Sequence, residues 1–479
     1  MQIDQWINTT LTPLSEALSS VVFYSIPLSE SISVPVILLW LVAISLFTTV
    51  YFGFVNIRSF GRGVGLAAGR IHHKEDAKAE GQITPFQALA TTLSATVGLG
   101  NIAGVAIAIS IGGPGAIVWM ILMGVLGMST KFHEASLGVM YRKKSAEGIF
   151  SGGPMYYLRD GLSDLGWPKI GKILAAVFAV CCIGGALGAG NMFQVNQVYQ
   201  QLVNVTGGSD ISFWADKGWM FGLGMAFLVG VVIIGGIKSI ASVASKVVPL
   251  MALIYMAAGF VVIAMHASAI PDAFLTIFDA AFSMEAGFGG LIGGIIQGVR
   301  RAAFSNEAGI GSAAITHAVA KTSFPVAQGM VAMLGAFVDT VIICLMTALV
   351  IVISGVGLDP SGAIEGISLT SRAFETVMPW FPPVLAFIVF LFAYSTMLTW
   401  SYYGLKSVTY LMGDGKCVDL GYKIVFCGFV VLGSSASLDI IINLSDSMYF
   451  AMAVPNIIAL YLLAPKVKRA LGKYKNMMK

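Results

Sequence analysis

Ser-Ala-Thr-Val-Gly-Leu-Gly-Asn-Ile-Ala-Gly, residues 94–104, interrupts an apolar segment that is otherwise long enough to cross a membrane. Glycine disfavours a helix by about 1 kcal/mol relative to alanine, so Gly98 and Gly100, followed by Asn101, predict a local break. Unwound backbone survives at the depth of a bilayer only where it is buried in protein or lines a cavity. Broken helices of this kind are typical of transporter substrate sites.

A second apolar segment carries the same glycine spacing. Residues 287–293 read Gly-Phe-Gly-Gly-Leu-Ile-Gly and align with Gly-Leu-Gly-Asn-Ile-Ala-Gly at residues 98–104. The two stretches lie close to half a chain length apart, as expected for the paired broken helices of an inverted-repeat transporter. The spacing therefore predicts two structural repeats, each beginning with a broken helix.

The composition is that of a membrane protein. Hydrophobic residues make up 57% of the chain and charged residues 11%, and the mean hydropathy of +0.84 lies far above that of soluble domains. The net charge of +4 does not indicate nucleic-acid binding, because the basic residues sort between loops. The five cysteines show no metal-ligand spacing and are expected to be free thiols. We therefore expect a lipid bilayer as the surroundings, and neither a nucleic-acid partner nor an organic cofactor.

Hydropathy over windows of about 19 residues predicts about eleven membrane-spanning helices. They lie near residues 33–55, 87–110, 115–140, 172–203, 218–236, 247–266, 279–299, 326–354, 381–410, 422–440 and 447–465. With the N-terminus outside, every Lys and Arg except Lys131, Lys217 and Arg372 falls on the cytoplasmic side, as the positive-inside rule requires. This orientation predicts a multi-pass protein of the cell membrane with a cytoplasmic C-terminus.

The predicted helices divide into one peripheral helix and a five-plus-five inverted repeat. Because each half has an odd number of spans, the halves have opposite topology, and substrate and ion sites lie between the two broken helices. The predicted organisation is an N-terminal segment with peripheral helix and cytoplasmic loop at 1–86, a first repeat at 87–266, a second repeat at 267–465 and a basic cytoplasmic tail at 466–479. Residues 1–32 lack a basic leader region, so we expect an outer segment of amphipathic helical character.

Several sequence blocks resemble the alanine or glycine:cation symporter family. The blocks are Thr96-Val-Gly-Leu-Gly-Asn-Ile-Ala-Gly-Val-Ala, Gly112-Gly-Pro-Gly-Ala, Gly127-Met-Ser-Thr-Lys-Phe, Gly152-Gly-Pro-Met-Tyr, Gly235-Gly-Ile-Lys, Phe304-Ser-Asn-Glu-Ala-Gly and Thr399-Trp-Ser-Tyr-Tyr-Gly. They are spread over residues 85–410, and one departure is at residues 118–121, Val-Trp-Met-Ile, where the family usually has Phe-Trp-Met-Trp. The resemblance implies an all-α leucine-transporter-type fold and sodium-coupled uptake of alanine or glycine.

An amino-acid substrate offers a carboxylate, an ammonium group and a side chain. We expect the backbone N–H groups of Gly98, Leu99 and Gly100, at the N-terminal end of a half-helix, to bind the carboxylate. Freed carbonyl groups of the second break are expected to bind the ammonium group. The residues of that break are Ala286, Gly287, Phe288 and Gly289.

Polar and aromatic side chains complete the predicted substrate site. Asn191 and Gln194 lie on the predicted fourth helix, and each either faces the substrate or holds helices together by a buried hydrogen bond. Phe288 and Trp400 are predicted to close the side-chain end of the pocket, with ordinary packing as the alternative.

Sodium is a hard cation and is bound by oxygen ligands. The resemblance to the leucine-transporter pattern implies two sodium sites, formed by Ser94, Thr96, Val97, Asn101, Ser395 and Thr396. In that pattern the Asn101 side chain and the Thr96 carbonyl contact one ion, and the other four residues contact the second. The alternatives are an interhelical hydrogen bond for Asn101 and bonds to the preceding helical turn for Ser395 and Thr396.

Ionisable residues in predicted membrane segments are costly to bury and indicate function or pairing. They are the cluster Lys131, His133 and Glu134, then Asp339, Glu285, and the group Arg300, Arg301 and Glu307. We expect the first cluster to pair internally near the inner end of the third helix. The last group is expected to form ion pairs that gate the cytoplasmic exit.

Two other functional classes use similar features. An ion channel also needs polar breaks, but channels usually build a pore by oligomer symmetry, whereas this chain is predicted to carry its own. A membrane enzyme needs a nucleophile and base or a metal cluster, and the sequence has no His-Glu-x-x-His or Ser-His arrangement. The favoured function is a symporter that couples sodium to uptake of small neutral amino acids, and not an enzyme. A proton-coupled or broader neutral amino-acid transporter is the first alternative, ahead of a channel.

Overall fold

The computed structural model describes residues 12–13, 15–29, 32–71, 79–145, 148–282, 287–356 and 366–478. The helices of the first half are α1 (Val36–Tyr51), α2 (Val55–Arg58), α3 (Phe60–Ala67), α4 (Pro85–Thr96), α5 (Ala103–Gly112), α6 (Ala116–Met140), α7 (Pro154–Tyr156), α8 (Pro168–Leu187), α9 (Phe193–Val205), α10 (Gly208–Ile211), α11 (Gly218–Ile233) and α12 (Gly236–Met265). Two antiparallel strand pairs lie in the described part of this half: β1 (Ser25–Ser29) with β2 (Ile32–Pro35), and β3 (Lys143–Lys144) with β4 (Phe150–Ser151).

The regular elements of the second half, within the residues that the structure describes, are helices. Its helices are α13 (Ile270–Phe282), α14 (Gly287–Asn306), α15 (Ala313–His317), α16 (Pro325–Ala336), α17 (Leu345–Ser354), α18 (Ile367–Glu375), α19 (Pro382–Met412), α20 (Lys416–Ser435), α21 (Leu438–Ala451) and α22 (Ala453–Met477).

Many of these helices are long and apolar enough to cross a membrane. Within the described ranges seven qualify by themselves: Ala116–Met140, Pro168–Val205, Gly236–Met265, Pro325–Ser354, Pro382–Met412, Lys416–Ser435 and Ile440–Met477. The bent pair of α4 with the segment Leu99–Gly112 is an eighth candidate, and α1 and α11 are shorter apolar helices. The chain is a multi-pass helical membrane protein, while the count of about eleven spans and the five-plus-five repeat stay predictions.

The N-terminal segment differs in part from its expected helical character. Residues 15–22 are helical, but the hairpin of β1 and β2 follows them and leads directly into α1. Pro35 ends β2 and stands at the N-cap of α1 with extended backbone angles, which proline favours. The expected helical character is therefore found at residues 15–22, and the hairpin departs from it.

The first helix break lies where the glycine pattern predicts it. α4 begins with a capping box, in which Gln87 N–H donates to Thr84 Oγ1 at 3.1 Å and Thr84 N–H donates to Gln87 Oε1 at 3.0 Å. The helix ends at Thr96, a single 3₁₀ turn covers Leu99–Asn101, and α5 continues at an angle of 59° to α4. The sequence prediction of a broken helix is confirmed here.

The second break is not at the predicted position. The glycines at 287 and 289 are part of the helix α14, Ala286 lies outside the described residues, and the chain leaves the helix only at residues 307–312. Gly298 of α14 serves close packing instead, because a Cβ there would lie 2.7 Å from the Cβ of Trp119 on α6. The prediction that Gly287, Phe288 and Gly289 interrupt a helix is therefore wrong.

Two long helices contain π-helical segments near the middle of the fold. Gly188–Met192 joins α8 to α9, and Phe337–Cys344 joins α16 to α17. Such wide turns shift the register of a helix and are frequent at functional sites. The second segment brings the carboxylate of Asp339 next to the first break, as its hydrogen bond with Asn101 shows.

Candidate functional site

A small cavity lies against the first break. Its walls are formed by Ala95, Thr96, Gly98, Gly100, Ala189, Gln194, Phe304, Glu307, Trp400 and Tyr449. Its volume of about 10 Å³ corresponds to roughly one water molecule. The helices α4, α9, α14, α19 and α21 therefore meet around a small, partly polar centre.

The backbone of the first break points its N–H groups at side chains of the site. Gly98 N–H donates to Asn101 Oδ1 at 3.0 Å, and Leu99 N–H donates to Gln194 Oε1 at 3.3 Å. Gln194 thus lies at the cavity, in the position expected if it faces the substrate. These N–H groups have the arrangement that binds anions at a helix start, and a carboxylate would compete with two neutral side-chain oxygens for them.

A side chain at either glycine of the first break, Gly98 or Gly100, would contact other parts of the site. A Cβ at Gly98 would lie 2.6 Å from Thr396 Oγ1, and one at Gly100 would lie 3.2 Å from Cδ1 of Phe304. Glycine therefore allows α19 and α14 to approach the break closely.

Glu307 is the acidic group of the cavity, and the sequence reasoning did not place it there. It follows α14 directly, and its backbone has φ = 58°, an uncommon value for a residue with a side chain. Its carboxylate accepts a hydrogen bond from Ser312. The sequence contains a signal for a break here, because two glycines, Gly309 and Gly311, follow Glu307 closely. In the structure both glycines have positive φ.

Of the other residues predicted to form the substrate site, some line the cavity and some do not. Trp400 lines the cavity. Asn191 donates its side-chain amide to the Phe426 carbonyl at 2.7 Å, which matches the interpretation as a bond between helices. The side chain of Phe288 lies outside the described residues. The aromatic walls that the structure shows are Phe304, Trp400 and Tyr449.

A first set of oxygen atoms surrounds Asn101. Its side-chain amide donates to a carboxylate oxygen of Asp339, and Ser305 Oγ donates to the same oxygen. The other carboxylate oxygen of Asp339 and Thr96 Oγ1 are buried without a hydrogen-bond partner among the described residues. A buried carboxylate with one unpaired oxygen, together with an unpaired hydroxyl, is a suitable environment for a small hard cation.

A second set of oxygen atoms joins α4 to α19, as the family resemblance implied. Ser94 Oγ donates to the Ser395 carbonyl at 2.7 Å, and Thr396 Oγ1 donates to the Ser94 carbonyl at 2.9 Å. Ser395 Oγ donates to the Phe392 carbonyl at 3.0 Å, which is the bond to the preceding turn. Val97 is the C-cap residue of α4, where the helix unwinds. The structure brings these residues together, and their role as sodium ligands stays a prediction.

Buried polar side chains of α6 and α22 hold the second break, residues 307–312, in place. Glu134 Oε1 accepts hydrogen bonds from Gly309 N–H at 3.0 Å and from Asn456 Nδ2 at 2.8 Å, and Asn456 Nδ2 also donates to the Gly309 carbonyl at 2.8 Å. Lys131 is buried, and its Nζ has no hydrogen-bond partner among the described residues. Among the described residues no salt bridge joins Lys131 to Glu134, because Glu134 Oε1 binds the break instead.

Arg300 and Arg301 also differ from expectation. Both contact the same carboxylate oxygen of Asp446 on α21, Arg300 with its Nη2 at 2.8 Å. They precede the break and line one cavity with Ser110 at the end of α5, away from the basic loop that leads into α4. The expected ion pairs with Glu307 are not found among the described residues, because both guanidinium groups contact Asp446 on α21 instead.

Comparisons with known proteins match nearly the whole chain. The model of the sodium:alanine symporter family matches residues 20–479. The sodium/alanine symporter AgcS of Methanococcus maripaludis is 43% identical over 432 residues, which are 90% of this chain and 92% of that protein. The amino-acid carrier protein AlsT of Bacillus subtilis is 34% identical over 88% of this chain and 86% of its own length.

A solved structure gives the fold. The crystal structure of MhsT in complex with L-phenylalanine superposes with a TM-score of 0.58 over 80% of this chain and 89% of that chain, at 13% sequence identity. The chain thus has the leucine-transporter-type fold that its sequence blocks imply.

Proposed function

Because the chain belongs to the sodium:alanine symporter family, we propose that it is a secondary active symporter that couples inward movement of sodium to uptake of alanine, glycine and similar small neutral amino acids. The observation that carries the proposal is the small cavity at the first break, where backbone donors, one carboxylate and three aromatic rings meet. The proposed membrane is the cell membrane, with the N-terminus outside and the C-terminus in the cytoplasm. Two inverted repeats, 87–266 and 267–465, supply the two halves that rock against each other.

The three parts of an amino acid have separate partners in this cavity. The substrate carboxylate binds the backbone N–H groups at residues 98–100 and displaces the Gln194 oxygen from Leu99. The ammonium group binds the carboxylate of Glu307, which takes the place of the carbonyls expected at residues 286–289. Phe304, Trp400 and Tyr449 surround the side chain, and the small size of the cavity favours a methyl group or a hydrogen atom.

Sodium ions bind the two oxygen sets. One ion lies among Asn101, Thr96, Ser305 and Asp339, directly behind the break that binds the carboxylate. The other lies between α4 and α19, at Ser94, Val97, Ser395 and Thr396. Because both sets include residues adjoining the substrate-binding backbone, an ion that fixes the break also prepares it for the substrate, which is the coupling that symport requires.

Proton coupling is the second candidate, and one observation favours it. Asp339 is a titratable group in the first oxygen set, with one oxygen unpaired among the described residues. A proton on this carboxylate would neutralise it as a sodium ion does. Transport driven by a proton gradient in the absence of sodium would replace the sodium proposal.

The test is accumulation of labelled alanine in proteoliposomes containing the purified protein. An inward sodium gradient should drive alanine above its equilibrium level, and lithium and proton gradients are applied separately for comparison. A channel would equilibrate alanine without concentrating it. An enzyme would return a changed compound, which chromatography of the recovered label detects.

A further inference from the structure

A cavity of about 400 Å³ lies between α3, the start of α4 and the start of α16. This volume falls in the range of sites that bind organic molecules. The residues that line it are all different from those of the central cavity, so the transported amino acid does not account for it.

The cavity lies near the boundary between bilayer and water. Pro85 begins α4 and Pro325 begins α16, and each of these helices opens a segment apolar enough to cross a membrane. Phe86 lines the cavity and is 46% exposed, so one wall continues onto the outer surface of α4. A molecule of the bilayer can therefore reach the cavity from the side.

Much of the lining is apolar. Leu66 at the end of α3, Ile71 after it, Phe86 on α4 and Val331 on α16 form this part of the wall. An apolar cavity is a poor site for water and favours an apolar occupant. An acyl chain is the occupant of this kind that a membrane supplies.

The rim of the cavity is positively charged. Lys321 lines the cavity, and Arg70 lies between two lining residues, Gly69 and Ile71. Both basic side chains are exposed, and neither forms a salt bridge with another described residue. The N-terminal ends of α4 and α16 add the positive ends of two helix dipoles. This combination attracts an anionic lipid headgroup.

We propose that the cavity binds an anionic phospholipid such as phosphatidylglycerol. Its acyl chain lies against the apolar walls, and its phosphate lies beside Lys321 and Arg70. The site needs only the membrane and does not depend on the proposed function. Because the lipid contacts α3, α4 and α16 together, it ties the first half of the broken helix to its neighbours.

The experiment is photocrosslinking followed by peptide mass spectrometry. The purified full-length protein is placed in phosphatidylcholine nanodiscs that contain a small fraction of phosphatidylglycerol with a diazirine on one acyl chain. A phosphatidylcholine probe with the same chain is used in parallel. We expect the phosphatidylglycerol probe to label the peptides that contain residues 60–71 and 325–331, and the phosphatidylcholine probe to label them much less. Unlabelled phosphatidylglycerol should compete, and free glycerol 3-phosphate should not.

Two variants test the two parts of the site. Ala67→Phe fills the cavity and should abolish the labelling, whereas Ala68→Phe changes the next residue, which is exposed and does not line the cavity. Lys321→Gln should lower the labelling by about fivefold, the factor expected for one basic residue beside anionic lipid. Lys172→Gln is the matched control, because this lysine is exposed on α8.

Four results would overturn the proposal: no labelling of the cavity peptides, equal labelling by both probes, labelling that Ala67→Phe and Lys321→Gln leave unchanged, or competition by glycerol 3-phosphate. The last result would assign the site to a free phosphate compound. If Ala67→Phe does not fold, Lys321→Gln decides, because its side chain lies on the surface.

Discussion

The side-chain amide of Asn101 donates a hydrogen bond to the carboxylate of Asp339, 238 positions further along the chain. The bond joins the first helix break to the π-helical segment Phe337–Cys344. Ser305 on α14 donates to the same oxygen, so three helical elements meet at one carboxylate. This meeting places a buried carboxylate behind the backbone that is proposed to bind the substrate.

Asp339→Asn should weaken sodium binding more than alanine binding. The substitution keeps the shape of the side chain and removes the charge that attracts the cation, so we expect the sodium concentration for half-maximal uptake to rise by about tenfold, of the order of one charged contact. Alanine affinity at saturating sodium should change little. The measurement is the sodium dependence of alanine uptake in proteoliposomes.

Cys344→Ala is the matched control for this prediction, because its sulfur lies 3.4 Å from Asn101 Nδ2 but is a poor ligand for sodium. It should leave the sodium dependence unchanged. An Asp339→Asn protein with wild-type sodium dependence would remove Asp339 from the ion site.

Glu307→Gln should lower alanine affinity by about tenfold or more, since the ammonium group of the substrate loses its charged partner. Glutamine can still accept the hydrogen bond from Ser312, so the break should stay in place. Competition by propionate, which has no ammonium group, is the internal control and should be nearly the same in both proteins. Equal loss of alanine and propionate binding would mean that Glu307 supports the fold of the break and does not bind the substrate.

Gly98→Ala should strongly reduce transport, because the added Cβ would lie 2.6 Å from Thr396 Oγ1 and force this hydroxyl away from the Ser94 carbonyl. The expected defect is a higher sodium requirement. Gly104→Ala is the matched control, because its Cβ would be 3.9 Å from its nearest neighbour on another element, Cδ of Arg301. Comparable expression with uptake retained only in Gly104→Ala supports the placement, and normal sodium dependence of Gly98→Ala contradicts it.

Trp400→Leu should shift selectivity toward larger amino acids. The ring is a wall of the central cavity, and space freed by its removal admits further methylene groups, each worth about 0.8 kcal/mol when buried. We expect weaker alanine uptake together with better competition by valine or leucine, since selectivity is a difference between two binding free energies. Competition by a series of neutral amino acids at fixed sodium measures both effects.

Trp219→Leu makes the same change on α11, where the tryptophan is exposed on the surface, and should leave the competition series unaltered. A parallel loss of all substrates in Trp400→Leu would assign the ring to helix packing. Phe304→Leu tests a second wall of the cavity in the same assay, in place of Phe288, whose side chain lies outside the described residues.

The first break was predictable because its cause is local. Gly98, Gly100 and Asn101 disfavour a helix wherever they stand, so the interruption can be read from the sequence. The second break was misplaced because glycine has two uses in membrane helices. In α14 it lets α6 pack closely, as at Gly298, whereas the interruption follows at Glu307, in a stretch that looked like a cytoplasmic end.

The partners of the buried charges were beyond the reach of sequence patterns. Asp339 contacts Asn101, Glu134 contacts Gly309, and Arg301 contacts Asp446, and each pair joins residues far apart in the chain. Such pairs depend on how helices pack and not on local preference. The Ser94 and Thr396 contact was foreseen only because a known transporter pattern supplied it.

The attachment of the second break has a consequence for the speed of the carrier. Both backbone groups of Gly309 are held by buried side chains, its N–H by Glu134 on α6 and its carbonyl by Asn456 on α22. Any motion that pulls this loop away from those helices must first give up both bonds, each worth about 1 kcal/mol net or more where a charge takes part. The clamp therefore raises the free energy of any conformation in which the loop has left those helices, and it slows a transport step that passes through such a conformation.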